Sequence, residues 1–190
     1  MFFGRTLQTV MRKKQALQDY ADDVGQSELC QVFLLVGQGG LYSRPTLVQT
    51  VLGSCVSVTM FAPKVRWGGM FHALLPRAED FSGKRTKGDD FRYVDSAIRQ
   101  LLKEFAAAGI APASLECKVF GGASPLHQCC DGSAGSRNVA AAMQVLADLG
   151  IPIAASSVGG NEGRKLIFRT DTGLVLQKRF LVSSCNQISC

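Results

Sequence analysis

Long hydrophobic runs are missing from this sequence. It has no stretch of about 20 apolar residues, the length a membrane-spanning helix needs, so no direct membrane insertion is expected. The opening residues Met1-Phe2-Phe3-Gly4-Arg5 lack a basic segment followed by an apolar one. They do not read as a secretory leader, and the expected localisation is cytoplasmic. Basic blocks are short, none exceeding Arg12-Lys13-Lys14, and Gly-aromatic RNA-binding patterns are absent, so nucleic acid is not an expected partner. Separated CxxC pairs are absent too. The seven cysteines, Cys30, Cys55, Cys117, Cys129, Cys130, Cys185 and Cys190, are odd in number and irregular in spacing, which reads as reduced thiols. Leu126-His127-Gln128-Cys129-Cys130 crowds its potential metal ligands together with no partner cluster elsewhere, so no metal is expected.

What is there describes an ordinary globular chain. Its 190 residues fit one domain and can bury a core without staples. Apolar residues are 46% and charged residues 19%, which argues against disorder. The net charge of +6 suits an acidic partner surface. Residues 5–20 have near-helical apolar spacing and read, with the rest of 1–30, as an N-terminal extension, partly helical or loose. Residues 31–180 read as a single domain. Within it, Gln31–Gly37, Thr46–Leu52, Cys55–Ala62, Trp67–Leu75, Leu115–Phe120, Ile151–Val158, Lys165–Arg169 and Leu174–Phe180 have strand character, and Asp171-Thr172-Gly173 reads as a hairpin turn. Arg77–Asp90 reads as a surface loop, and two amphipathic helices are expected near Arg92–Ala108 and Arg137–Leu149. Residues 181–190 read as a loose tail. Hairpin-linked strands mixed with helices, without strict alternation, predict an α+β fold.

The sharpest local feature is Gly53-Ser54-Cys55, followed by a strand, a turn and His72. A turn centred between Pro63 and Lys64, where proline presets φ, would set Cys55 directly opposite His72 on one face, with Cβ atoms roughly 4.5–5.5 Å apart. Thiol and imidazole at that separation are the nucleophile and base of cysteine catalysis. The histidine would lower the thiol pKa, making Cys55 the most readily alkylated thiol near neutral pH, with Cys117 protected in the core. The pair is expected in a cleft open to solvent. Gly53 and Ser54 let the backbone turn tightly, so that N–H groups can converge on an oxyanion. On the residues alone, a buried core thiol and a satisfied core histidine stay open as readings. Gly159-Gly160-Asn161-Glu162-Gly163-Arg164 is glycine-rich but precedes a strand, so it is not a phosphate loop.

Further motifs join these in order: Val36-Gly37-Gln38, Thr50-Val51-Leu52-Gly53-Ser54-Cys55-Val56, Gly68-Gly69-Met70-Phe71-His72, Leu75-Pro76, Tyr93-Val94-Asp95, Lys118-Val119-Phe120-Gly121-Gly122-Ala123, Gly135-Ser136-Arg137-Asn138, Val158-Gly159-Gly160, Gly163-Arg164-Lys165 and Thr172-Gly173. Together they resemble the CheD family, the chemoreceptor glutamine deamidases of bacterial and archaeal chemotaxis, over about residues 31–180. The resemblance implies a mixed β-sandwich core flanked by two long helices, as in toxin-type cysteine deamidase domains. It implies Cys55 as nucleophile, His72 as base and a threonine that orients the histidine, for which Thr50 is the nearest match. Five residues separate Thr50 from Cys55, which puts them on opposite faces of a straight strand unless Gly53-Ser54 kinks it. The implied chemistry needs no cofactor. The implied partners are the cytoplasmic helices of chemoreceptors and a CheC-type phosphatase, and the chain is expected to act as a monomer. The alternatives are a non-catalytic regulatory binding module for these partners and a thiol hydrolase of another substrate.

Overall fold

The computed structural model describes residues 29–81, 90–124 and 132–181. Among the described residues nine strands run in chain order with two α-helices: β1 (Cys30–Phe33), β2 (Gly39–Tyr42), β3 (Thr46–Leu52), β4 (Val56–Ala62), β5 (Trp67–Phe71), α1 (Val94–Ala107), β6 (Glu116–Gly121), α2 (Ala134–Asp148), β7 (Ile153–Val158), β8 (Glu162–Arg169) and β9 (Val175–Leu181). Contacts divide the chain after Cys30, and the unit Gln31–Cys190 carries all but the first residue of this architecture. The helix expected within residues 5–20 and the tail beyond Leu181 lie outside the described residues.

The strands form a four-stranded sheet, ordered β1-β3-β8-β9, and a five-stranded sheet, ordered β2-β5-β4-β6-β7. The larger sheet is mixed, because β6 and β7 are parallel and joined through α2, as a crossover requires. Val48, Leu52, Leu166 and Phe168 of the smaller sheet pack against Cys55, Phe61, Met70 and Phe120 of the larger. The other face of the larger sheet, with Val56, Val58, Met60, Phe71 and Val119, is covered by α1 and α2. The α+β expectation of a mixed β-sandwich with two long helices therefore holds, and both helices lie on one side of it.

Local chemistry explains the elements. In α1, Val94, Ala97, Ile98, Leu101, Leu102 and Phe105 recur at helical spacing and are all buried. Ser133 caps α2 by accepting a hydrogen bond from the Ser136 N–H at 3.1 Å. This cap starts the helix three residues before the expected Arg137. Gly135 sits in its first turn because a Cβ there would stand 2.6 Å from the carbonyl oxygens of Gly122 and Ala123. The helix thus lies directly on the backbone that follows β6.

Two strand expectations need correction. Strand β2 went unread because it begins Gly39-Gly40 and offers little apolar pattern. Gly39 pairs with Phe71 across the ladder, and a Cβ would run into that side chain. The β4–β5 hairpin closes through four residues, Pro63 to Arg66, not through a two-residue turn. Arg66 takes a φ of 57° and is held there by Asp171, whose backbone oxygen accepts from its Nε at 3.0 Å and whose carboxylate lies 3.3 Å from its Nη2. The register accordingly shifts by two residues: Ala62 pairs with Trp67, Thr59 with Met70 and Val56 with Ala73.

The tight seat of α2 makes a stability prediction. Gly135→Ala should lower the unfolding free energy by about 1–3 kcal/mol, the usual cost of overpacking. Gly40→Ala, where a Cβ meets nothing within 4 Å, should change it little. Urea unfolding midpoints of the two variants check this.

Candidate active site

The site lies where the chain passes from one sheet to the other. Strand β3 belongs to the smaller sheet and ends at Leu52, Gly53 and Ser54 form the crossing, and Cys55 leads into β4 of the larger sheet. Thr50 and Cys55 therefore do not share a straight strand: the chain turns at Gly53-Ser54, the condition under which parity does not keep them apart. Thr50 is buried between the sheets, as are Val48 and Leu52 on the same face of β3. His72 follows directly on β5.

The two-residue shift in register moves His72 from directly opposite Cys55 to the diagonal position. The face survives, because a shift of two preserves the alternation of side chains. Val56 and Ala73 exchange backbone hydrogen bonds at 3.0 and 2.9 Å, and Cys55 and His72 flank that pair on one face. Diagonal neighbours remain within reach of long side chains.

Thr50 Oγ1 lies 2.8 Å from His72 Nδ1 and donates its own proton to the Leu34 carbonyl at 2.9 Å. A hydroxyl has one proton. With that proton given to Leu34, Thr50 accepts from His72, so Nδ1 carries the imidazole hydrogen. Nε2 then holds the lone pair of the neutral ring. It is buried and has no partner among the described residues. The backbone around it is fixed: the His72 N–H donates to the Gln38 carbonyl and the Gly37 N–H to the His72 carbonyl, both at 2.8 Å. The Leu34 N–H donates to Gln49 of β3 at 2.8 Å, so the segment from Leu34 to Gln38 ties both sheets to the imidazole.

The turn before Cys55 is held by its carbonyls. Gly53 accepts from the Ala123 N–H at 2.8 Å, Cys55 from the Gly122 N–H at 2.8 Å, and Ser54 from Asn138 Nδ2 at 3.0 Å. Gly121 has a φ of 107°, and a Cβ on it would collide with the Cys55 carbonyl. Gly53 and Ser54 thus form the turn expected of them. In sequence Asn138 is one residue of the Gly135-Ser136-Arg137-Asn138 motif, with no role of its own. The available signal was its place among Ala141, Ala142 and Val145 on the buried face of α2, where an amide is out of pattern.

Cys55 and His72 are only 9% and 5% exposed, so the pair is not in an open cleft as expected. Cys55 packs between the sheets among Leu34, Leu52 and Phe120, and His72 meets Thr50 of the smaller sheet. Burial pushes the Cys55 thiol above its ordinary range, partly offset by its own backbone N–H, and pushes the His72 imidazole down, partly offset by the Leu34 carbonyl. Both shifts favour the neutral forms, a thiol and an uncharged imidazole, and run against the thiolate expected from a histidine neighbour. Cys117, on β6, is buried and pushed up to about 12. Among the described residues no group of three or more His, Cys, Asp or Glu could hold a metal ion, and no helix is long and apolar enough to cross a membrane. His127, Cys129 and Cys130 lie outside the described residues.

The family model for CheD, described as CheD chemotactic sensory transduction, matches residues 74–179. A protein of Geobacter sulfurreducens named probable chemoreceptor glutamine deamidase CheD 2 is 48% identical over 80% of this chain and 91% of its own. One of Maridesulfovibrio salexigens named probable chemoreceptor glutamine deamidase CheD is 43% identical over 81% and 94%. One of Thermotoga maritima named chemoreceptor glutamine deamidase CheD is 34% identical over 76% and 88%. Among solved structures, the Bacillus licheniformis hypothetical protein YfiH is similar at a TM-score of 0.46 and 14% identity, covering 75% of this chain and 68% of its own, too distant a likeness to inform the site.

The shifted pKa values have measurable signs. Alkylation of Cys55 by iodoacetamide should rise with a midpoint above 9.0, and at neutral pH exposed Cys30 should react faster. Peptide mapping after limiting reagent checks both. The unfolded chain takes up a proton at His72 that the folded chain resists, so stability should fall as pH drops below 6.5, by at most about 1.4 kcal/mol per pH unit. His72→Gln should remove that part of the acid limb in urea titrations.

Proposed function

The chain belongs to the CheD family, and from that membership we propose that it is a chemotaxis enzyme that converts glutamine side chains of chemoreceptors to glutamate, with Cys55 as nucleophile and His72 as base. The observation that carries the mechanism is the hydrogen-bond chain from His72 through Thr50 to Leu34, which leaves Nε2 as a free base on the face that holds the cysteine. The Cys55 sulfur attacks the carboxamide carbon as its proton passes to His72 Nε2. Transfer at the moment of attack suits a resting thiol whose pKa is raised. The imidazolium gives that proton to the departing ammonia, and a thioester remains. Water then attacks the thioester carbon, losing a proton to Nε2. The C–S bond breaks, and the proton returns to sulfur. The products are glutamate and ammonia, and no cofactor enters.

In this reading Thr50 is a positioning residue, and N–H groups of the turn at Gly53, Ser54 and Cys55 receive the oxyanion. Residues 31–180 are the deamidase unit, acting in the cytoplasm as a monomer, with 1–30 as an extension and 181–190 as a tail. The substrate is a receptor cytoplasmic helix. A CheC-type phosphatase is proposed as a second partner on the family resemblance alone.

Cys55→Ala should abolish deamidation while the fold persists. His72→Ala should lose roughly 10²–10⁴-fold, the contribution of a general base. Thr50→Val keeps the shape but leaves Nδ1 without an acceptor, and should lose less than His72→Ala. Mass spectrometry of a receptor cytoplasmic fragment, with circular dichroism of each variant, reads these losses. Retained turnover in a folded Cys55→Ala variant would overturn Cys55 as the nucleophile, and a wild type that binds the fragment without deamidating it would replace the enzyme reading with that of a binding module.

A further inference from the structure

Asn138 of α2 is fully buried, and its single amide nitrogen reaches two backbone oxygens, Ser54 at 3.0 Å and Leu74 at 2.9 Å. Both oxygens can only accept, so the nitrogen must face them and spends one hydrogen on each. The location matters. The β4–β5 ladder has its last rung at Val56–Ala73. A further rung would join Ser54 with Leu75, but the Leu75 N–H turns instead to the Arg92 carbonyl at 3.2 Å. Asn138 occupies the place where the rung is missing. It bridges the cysteine strand to the histidine strand just beyond the point where their own pairing stops.

The amide also carries a cost. Its Oδ1 is buried with no partner among the described residues, which typically costs about 1–3 kcal/mol. A leucine would fill the same space without that penalty. What leucine cannot supply is two donors from one point. A trans peptide is planar with its C=O and N–H opposed. Fixing the Ser54 carbonyl towards α2 therefore turns the Cys55 N–H the other way. The Cys55 N–H thus belongs to the crossing that carries the reacting sulfur, on the side of the peptide turned away from Asn138.

We infer that Asn138 is a positioning residue for the reaction: by holding the Ser54 and Leu74 carbonyls it aims the Cys55 N–H at the oxygen that becomes negative when the glutamine carbonyl is attacked. The inference rests on the deamidase reading and adds to it the origin of the oxyanion donor. Gly135 and Gly122 belong to the same device, because only their lack of side chains lets α2 approach closely enough for an asparagine one turn further on to reach the crossing.

The test compares wild type, Asn138→Leu and Asn138→Ala on a receptor cytoplasmic fragment and, separately, on iodoacetamide. Deamidation builds an oxyanion, whereas alkylation at a methylene does not. For both variants kcat should fall about 10²-fold, the scale of a lost oxyanion donor, with KM within about twofold of wild type. The rate and pH midpoint of Cys55 alkylation should stay within about twofold. An inactive wild type overturns the deamidase reading. An active wild type with an equally active, folded Asn138→Leu overturns the inference. So does a parallel fall in alkylation, which would place the effect on the thiol and imidazole. If neither variant gives a cooperative urea transition, Asn138 serves the fold and the inference also fails.

Discussion

The hydrogen bond between Thr50 and His72 spans the two sheets, and the proposed chemistry depends on it. It joins a side chain of β3 in one layer to a side chain just after β5 in the other. Such a bond contributes only about 1 kcal/mol net, so it does not hold the layers together. The apolar contacts of Val48, Leu52, Met70 and Phe168 do that. The dependence runs the other way. The packed sandwich holds threonine, histidine and the Leu34 carbonyl in line, and the line dictates which imidazole nitrogen is basic.

Burial sets the second constraint. A site between two sheets is almost dry, and dry surroundings favour the neutral forms of both partners. The thiol is pushed up and the imidazole down, which would idle an enzyme that needed a standing thiolate. It suits one in which the proton moves during attack. The same dryness strengthens any N–H aimed at a developing oxyanion. Near the pair, Leu35 and Leu74 are exposed apolar side chains, 61% and 37% accessible, on segments bonded directly to the site backbone.

Much of this could be read from the residues. Strand β3 was expected at its observed limits, and α1 carried its buried stripe openly, whereas α2 buries Ala141, Ala142, Val145 and Leu146 and leaves Leu149, expected to face inward, exposed. Cys55 and His72 stood out because their spacing across one hairpin put them on a common face. The register was off by two because Pro63 suggested a tight turn, while Arg66 could take its left-handed φ only with help from Asp171, more than 100 positions away. The place of Thr50 was left open for a related reason. Parity along a strand assumes one strand, and only the three-dimensional fold shows that the chain changes sheets at Gly53-Ser54. Asn138 was hidden because its partners are backbone oxygens, which leave no mark in the sequence.

The most direct test of the account is to trap the covalent intermediate. The chain is mixed with a receptor cytoplasmic fragment, quenched in acid during turnover and digested. The peptides are then searched by mass for a glutamyl thioester. The account predicts an adduct on the peptide containing Cys55, released by hydroxylamine and absent from Cys55→Ala. Steady deamidation with no adduct on that peptide, or an adduct on another cysteine, would contradict it.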